Sequence, residues 1–160
     1  MIYFTTFIFT LLLAHIARAM PACGDVASFE DMHDPMYDDK QLILYPPIAT
    51  WHDLYDNSSG HTIDLMCSNL AIPFPLYCNF PTFPYIGGAF DIQEHNSPNC
   101  GKCWNLTNTE TDKFIYFTAI NTSKRGFSFV LSRQALMALS GGLAPLVVSA
   151  DLVPAHFCGF

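Results

Sequence analysis

Positive charge is what this chain has least of: seven lysines and arginines stand against fourteen aspartates and glutamates in 160 residues. A surface with that balance is repelled by phosphate backbones and by anionic membranes, so nucleic acid is not an expected partner. Beyond the N-terminus no apolar run is long enough to span a bilayer, which takes roughly 18–20 residues. The histidines show no paired spacing, and neither His-x-x-x-His nor a second Cys-x-x-Cys occurs. The close ligand pairs of zinc sites are therefore missing, and no metal or cofactor is expected. No internal repeat is visible.

The N-terminus, MIYFTTFIFTLLLAHIARA, carries an apolar block from about Phe7 to Ile16 that runs into Ala17-Arg18-Ala19. Small-x-small after such a block is the form of a signal-peptidase site, although no Lys or Arg precedes the block. Residues 1–19 are expected to be a signal peptide, and the mature chain is expected to be secreted from near Met20. Without Arg18 the mature chain keeps six basic against fourteen acidic residues, a formal charge of −8. The remainder is the size of one domain and buries about two-thirds of its unfolded surface, enough for a real core.

Residues 20–46 are expected to form an irregular acidic extension. Between Asp25 and Asp39 lie six carboxylates and no Lys or Arg, and Pro35, Pro46 and Pro47 break any regular element. His33, Asp34, Asp38 and Asp39 cluster there without EF-hand spacing or a turn glycine, so the segment reads as a solvated arm. From residue 47 onward the character changes. Short β-rich runs (TIDLM at 62–66, KFIYFTAI at 113–120, GFSFVL at 126–131, PLVVSA at 145–150) alternate with Asn-Ser-Ser-Gly, Gly87-Gly88, Asn-Ser-Pro and Gly141-Gly142. Such punctuation points to a sandwich or barrel. One helix is expected in SRQALMALSGG: Ser132 caps it, Leu136 and Leu139 share a face, and Gly141 ends it. Asn57, Asn105 and Asn121 each begin an N-glycosylation sequon.

Six cysteines (Cys23, Cys67, Cys78, Cys100, Cys103 and Cys158) in a secreted chain imply a disulfide framework. Sequence alone leaves fifteen connectivities open. HNSPNCGKCW, residues 95–104, poses the question of whether Cys100 and Cys103 are a redox dithiol, half of a metal knuckle or a structural corner. A redox pair sits at a helix N-terminus, which lowers the pKa of its first thiol. Here WNLT follows and reads as a strand. The corner remains, with each cysteine bonded to a different partner.

YDNSSG (55–60), MCS (66–68), FPYIGG (83–88), NSPNCGKCW (96–104), TAI (118–120), RGFSFVLS (125–132), ALMALSGG (135–142) and the terminal CGF (158–160) occur in an order that resembles the cerato-platanins, small secreted fungal proteins. The resemblance implies a mainly β fold, a single six-stranded double-ψ β-barrel with one or two short helices over residues 47–160. It also implies the pairings Cys67–Cys100 and Cys103–Cys158, which leaves Cys23 and Cys78 to bond each other.

Glycoside hydrolysis normally needs two carboxyl groups across a groove. Related barrels that cleave glucans carry an acid near the strand matching FTAI, and cerato-platanins usually keep an aspartate just after it. This chain has Asn121 there, and an amide has no proton to give to a leaving group. His95 stands in place of the family's tryptophan, and the segment between Cys67 and Phe83 is short and rich in Pro and Phe. Trp51, Asp56, Asn96 and Asn121 are the candidate ligand contacts: tryptophan stacks on a sugar ring, while carboxylate and amide fix hydroxyls. Each also has a plain structural reading, Trp51 as core and Asp56 and Asn96 as turn residues bonding their own backbone. The expected role is non-catalytic binding of chitin oligomers or other neutral wall polysaccharide, in fungal wall remodelling or as an elicitor or effector of plant defence with a possible host protein partner. Surface-active self-assembly and glucan hydrolysis are the alternatives.

Overall fold

The computed structural model describes residues 46–124 and 126–160. The expected signal peptide, Cys23 and nearly all of the acidic extension lie outside the described residues.

Six strands close into a barrel: β1 (Ile48–Trp51), β2 (Ile86–Ala89), β3 (Cys103–Asn108), β4 (Phe114–Thr122), β5 (Ser128–Leu131) and β6 (Leu146–Val153). Their order around the barrel is β1-β5-β2-β4-β3-β6, with β6 returning to β1. The β1/β5 and β2/β4 pairs are parallel and the remaining pairs antiparallel. Closure removes every free sheet edge, which lets a small β domain avoid edge-to-edge association. This is the mainly β, six-stranded barrel that the resemblance implies.

Alternation along the strands separates two apolar cores. Ala49, Leu106, Ile115, Phe117, Ala119, Phe129, Leu131 and Val148 join the first, and helix α1 (Arg133–Ser140) seals it with Ala135, Leu136 and Leu139. The opposite faces of β2 and β4 supply Ile86 and Ile120 to the second, which Tyr55, Leu65, Tyr77 and Phe80 from the long β1–β2 connection complete. That connection holds four short 3-10 helices, beginning at Asp53, Thr62, Ser68 and Tyr77.

The helix forms as its sequence dictates. Ser132 Oγ accepts the Ala135 N–H at 3.1 Å, and Gly141 ends the helix at φ 75°. Two expectations need correction. TIDLM is not a strand: Thr62–Asp64 is a 3-10 turn, and among the described residues the only pairing beside it is a single isolated bridge from His61 to Leu76. The Thr62 N–H and Oγ1 donate to the Pro75 and Phe74 carbonyls at 3.0 and 2.6 Å and the Leu65 N–H closes back on Thr62 at 3.1 Å, so these bonds take the place of a strand ladder. Gly87 and Gly88 are not a turn but the middle of β2. A Cβ on Gly87 would run into the Val130 carbonyl oxygen, and one on Gly88 into that of Thr122. The glycines are there for close backbone approach.

Cys67 is bonded to Cys100 and Cys103 to Cys158, with Cα–Cα distances of 5.5 and 5.8 Å. Cys100 and Cys103 therefore anchor one corner to two remote parts of the chain. Cys78 is also disulfide-bonded.

Candidate functional site

Trp51 ends β1 at the mouth of the barrel, partly buried against the first core. The Arg133 guanidinium lies over its ring at 4.7 Å from the centroid, a cation–π contact that covers one face of the indole. Arg133 is the first residue of α1, and its N–H donates to both carboxylate oxygens of Asp56, at 3.0 and 3.2 Å. Asp56 thus sits at the positive end of the helix. Burial raises its carboxyl pKa, and the N–H groups of Arg133 and Gln134 pull it back in part. Asp56 is therefore a long-range tie between the 53–56 turn and α1, not a turn residue bonded to its own backbone.

Next to Asp56, Tyr55 is buried and its hydroxyl accepts from Asn121 Nδ2 at 3.2 Å. Burial drives the Tyr55 pKa far above that of a free phenol, so it stays protonated. Asn121, near the end of β4, spends its Oδ1 on the N–H of Met66 at 3.2 Å and of Thr122 at 2.9 Å. Its Nδ2 carries a second N–H beyond the one given to Tyr55. Met66 in turn accepts the Asn96 N–H at 2.7 Å. Asn96 is exposed, adopts φ 56°, and uses Oδ1 to accept from Ser68 Oγ at 3.1 Å and from the Asn69 N–H at 2.8 Å. His95 Nε2 lies 3.1 Å from the same Ser68 hydroxyl.

All four residues singled out from sequence therefore belong to one run of contacts: Trp51, Arg133, Asp56 with its neighbour Tyr55, Asn121, Met66 and Asn96. Sequence reasoning missed Arg133, Tyr55 and Ser68, and no local signal marks their roles. The run offers an aromatic ring, a cation, the Asp56 carboxylate, amides and hydroxyls, and position 121 carries an amide rather than a carboxyl. Among the described residues no group of three or more His, Cys, Asp or Glu is placed to hold a metal ion, and no helix is long and apolar enough to cross a membrane.

The cerato-platanin family model matches residues 49–152. The chain belongs to the cerato-platanin family. Allergen Asp f 15 of Aspergillus fumigatus is 38% identical over 103 residues, 61% of this chain and 65% of its own length, so the match spans just under two-thirds of that relative. The cerato-platanin of Ceratocystis fimbriata f. sp. platani is 33% identical over 54% of this chain and 61% of its own length. Among solved structures, cerato-platanin 1 of M. perniciosa aligns with a TM-score of 0.64 at 34% identity, covering 69% of this chain and 98% of its own. The solution structure of the fungal elicitor cerato-platanin shares the fold, with a TM-score of 0.63 at 24% identity. Relatives of this cerato-platanin carry the names allergen, antigen and elicitor, and none of these names is that of an enzyme.

Proposed function

We propose that this cerato-platanin is a secreted, non-catalytic protein that binds neutral wall polysaccharide, chitin-type oligomers above all. The supporting observation is the single run of contacts from Trp51 through Asp56 and Asn121 to Asn96. The exposed part of the Trp51 indole stacks on a sugar ring. The second Asn121 N–H, the half-buried Ser68 hydroxyl and the exposed His95 and Asn96 side chains bond its hydroxyls. Amide in place of carboxyl at 121 leaves affinity without proton transfer. In this reading the protein acts on fungal walls or on plant defence by holding or masking sugar chains, and a host protein partner is compatible with it.

Calorimetric titration with N-acetylglucosamine oligomers, run beside an assay for new reducing ends, tests the proposal. Saturable binding without reducing-end release supports it; release of reducing ends, or no binding, contradicts it.

A second reading, surface-active assembly, draws on Ile72 and Ile63, which are 93% and 61% exposed in the loops beside the site. Large apolar side chains in that position favour an air–water interface over bulk water. Surface tension that falls with concentration, and recovers when both isoleucines become serine, supports this reading; unchanged surface tension removes it.

A further inference from the structure

The outer face at the start of β4 carries a depression of about 650 Å³ that has no part in the run of contacts above. We propose that it is a second sugar-binding site, one that takes the apolar face of a neutral pyranose oligosaccharide.

The depression is built on aromatic rings. Phe114 and Tyr116 lie two positions apart on β4 and so point to the same side of the sheet, with ring centroids 5.7 Å apart. Phe157, from the 3-10 turn Ala155–Cys158, packs on Tyr116 at 5.0 Å with planes 33° apart. His156 continues the row, 4.5 Å from Phe157 and tilted by 31°. The Cys103–Cys158 bridge immediately follows Phe157 and fixes the turn to β3. Despite this packing, Phe114 is 56% and Phe157 45% exposed. A pre-formed row of half-exposed rings is an apolar surface that water covers at a cost.

Its lining also selects the ligand. No Lys, Arg, Asp or Glu lines the depression, in a chain that carries a net charge of −7. A charged ligand would find no counter-charge there. The polar side chains of the lining are Tyr85, Tyr116, His156 and Thr82, the last with its hydroxyl already bonded to that of Thr118 at 2.7 Å. A pyranose presents C–H groups on its faces and hydroxyls around its edge, so rings below and hydroxyl partners at the rim match it. The volume lies in the range of small-molecule sites, about 300–1,000 Å³.

The site is separate from the first. Asn121 lies five to seven residues along β4 from Tyr116 and Phe114, about 17–23 Å at the strand rise. One molecule could then hold two chains, or two stretches of one chain, and gain from effective concentration without a new contact. The second site takes its ligand class from its own lining, so it stands or falls apart from the Asn121 surface.

The test is an NMR titration of the full mature protein with N-acetylglucosamine hexamer and with cellohexaose, repeated on Phe157→Ala, Phe114→Ala and Asn121→Ala. Shifts at Phe114, Tyr116, His156 and Phe157, weakened about tenfold by either phenylalanine variant and untouched by Asn121→Ala, support the second site. That result with no shift at Asn121 would still support it, and would instead remove the reading of the first surface. The second site is overturned by absence of shifts on the aromatic row at saturation, or by shifts that survive both phenylalanine variants. It is equally overturned if the phenylalanine variants change only the sedimentation of the protein, which would make the row a contact between copies of this chain.

Discussion

The Asn121 amide and the Tyr55 hydroxyl hold each other, with Nδ2 donating to the phenolic oxygen at 3.2 Å. Tyr55 is only 3% exposed, so water cannot replace that partner. Asn121→Ala leaves the phenol and the Met66 N–H without it, and is expected to cost about 1–3 kcal/mol. Urea unfolding measures the loss, and Tyr55→Phe in the same background should recover part of it.

The same bond bears on glycosylation. A glycan on Asn121 would hang from the same nitrogen that donates to the buried Tyr55 hydroxyl, so its first sugar would have to fit beside that phenol near the end of β4. Asn57, by contrast, uses only Oδ1, which accepts from the Ser59 N–H and Oγ at 3.1 and 2.9 Å. Peptide mapping of the secreted protein should therefore find Asn57 modified and Asn121 bare.

Gly87→Ala is expected to be among the most damaging single-methyl changes in the chain. Its Cβ would meet the Val130 carbonyl, and backbone cannot swing aside as a side chain can. A cost at or above the ~1–3 kcal/mol usual for overpacking should appear as a lowered Tm. Gly142→Ala, where a Cβ meets nothing within 4 Å, is the control and should leave Tm nearly unchanged.

Asp91 supplies a pH prediction. Its Oδ1 is buried without a hydrogen-bond partner. Burial raises its carboxyl above the ordinary 3.8, and Lys102 offsets part of the rise. The folded state then holds this proton more tightly than the unfolded state does. The contribution of Asp91 to stability therefore falls as pH rises from 3.8 through the folded pKa, and is level beyond it. Asp91→Asn should be more stable than the parent at neutral pH, with the difference shrinking as pH drops through the folded pKa towards 3.8 and level below it. Chemical denaturation at a series of pH values reads this directly.

Where sequence and structure agree, local chemistry decided the outcome. Ser132 and Gly141 bracket α1 because cap and left-handed terminus are properties of those residues alone. KFIYFTAI, GFSFVL and PLVVSA become β4, β5 and β6 because their β-branched and aromatic residues face two apolar cores. Where they differ, distant partners decided it. Gly87 and Gly88 look like a turn until Val130 and Thr122 are seen pressed against them. The site residues were found by resemblance, and their geometry was not legible. Asp56 meets Arg133 across 77 positions and Asn121 meets Tyr55 across 66, separations that leave no trace in local pattern.

In the proposed function, Trp51, Asp56, Asn121 and Asn96 form one sugar-binding surface. The most direct test is calorimetric titration of the mature, deglycosylated protein and its Trp51→Ala variant with N-acetylglucosamine hexamer. Saturable binding by the parent is expected, with at least about tenfold weaker binding by the variant, the loss of a stacking contact. Equal affinity in the two proteins, or no heat in either, would contradict it.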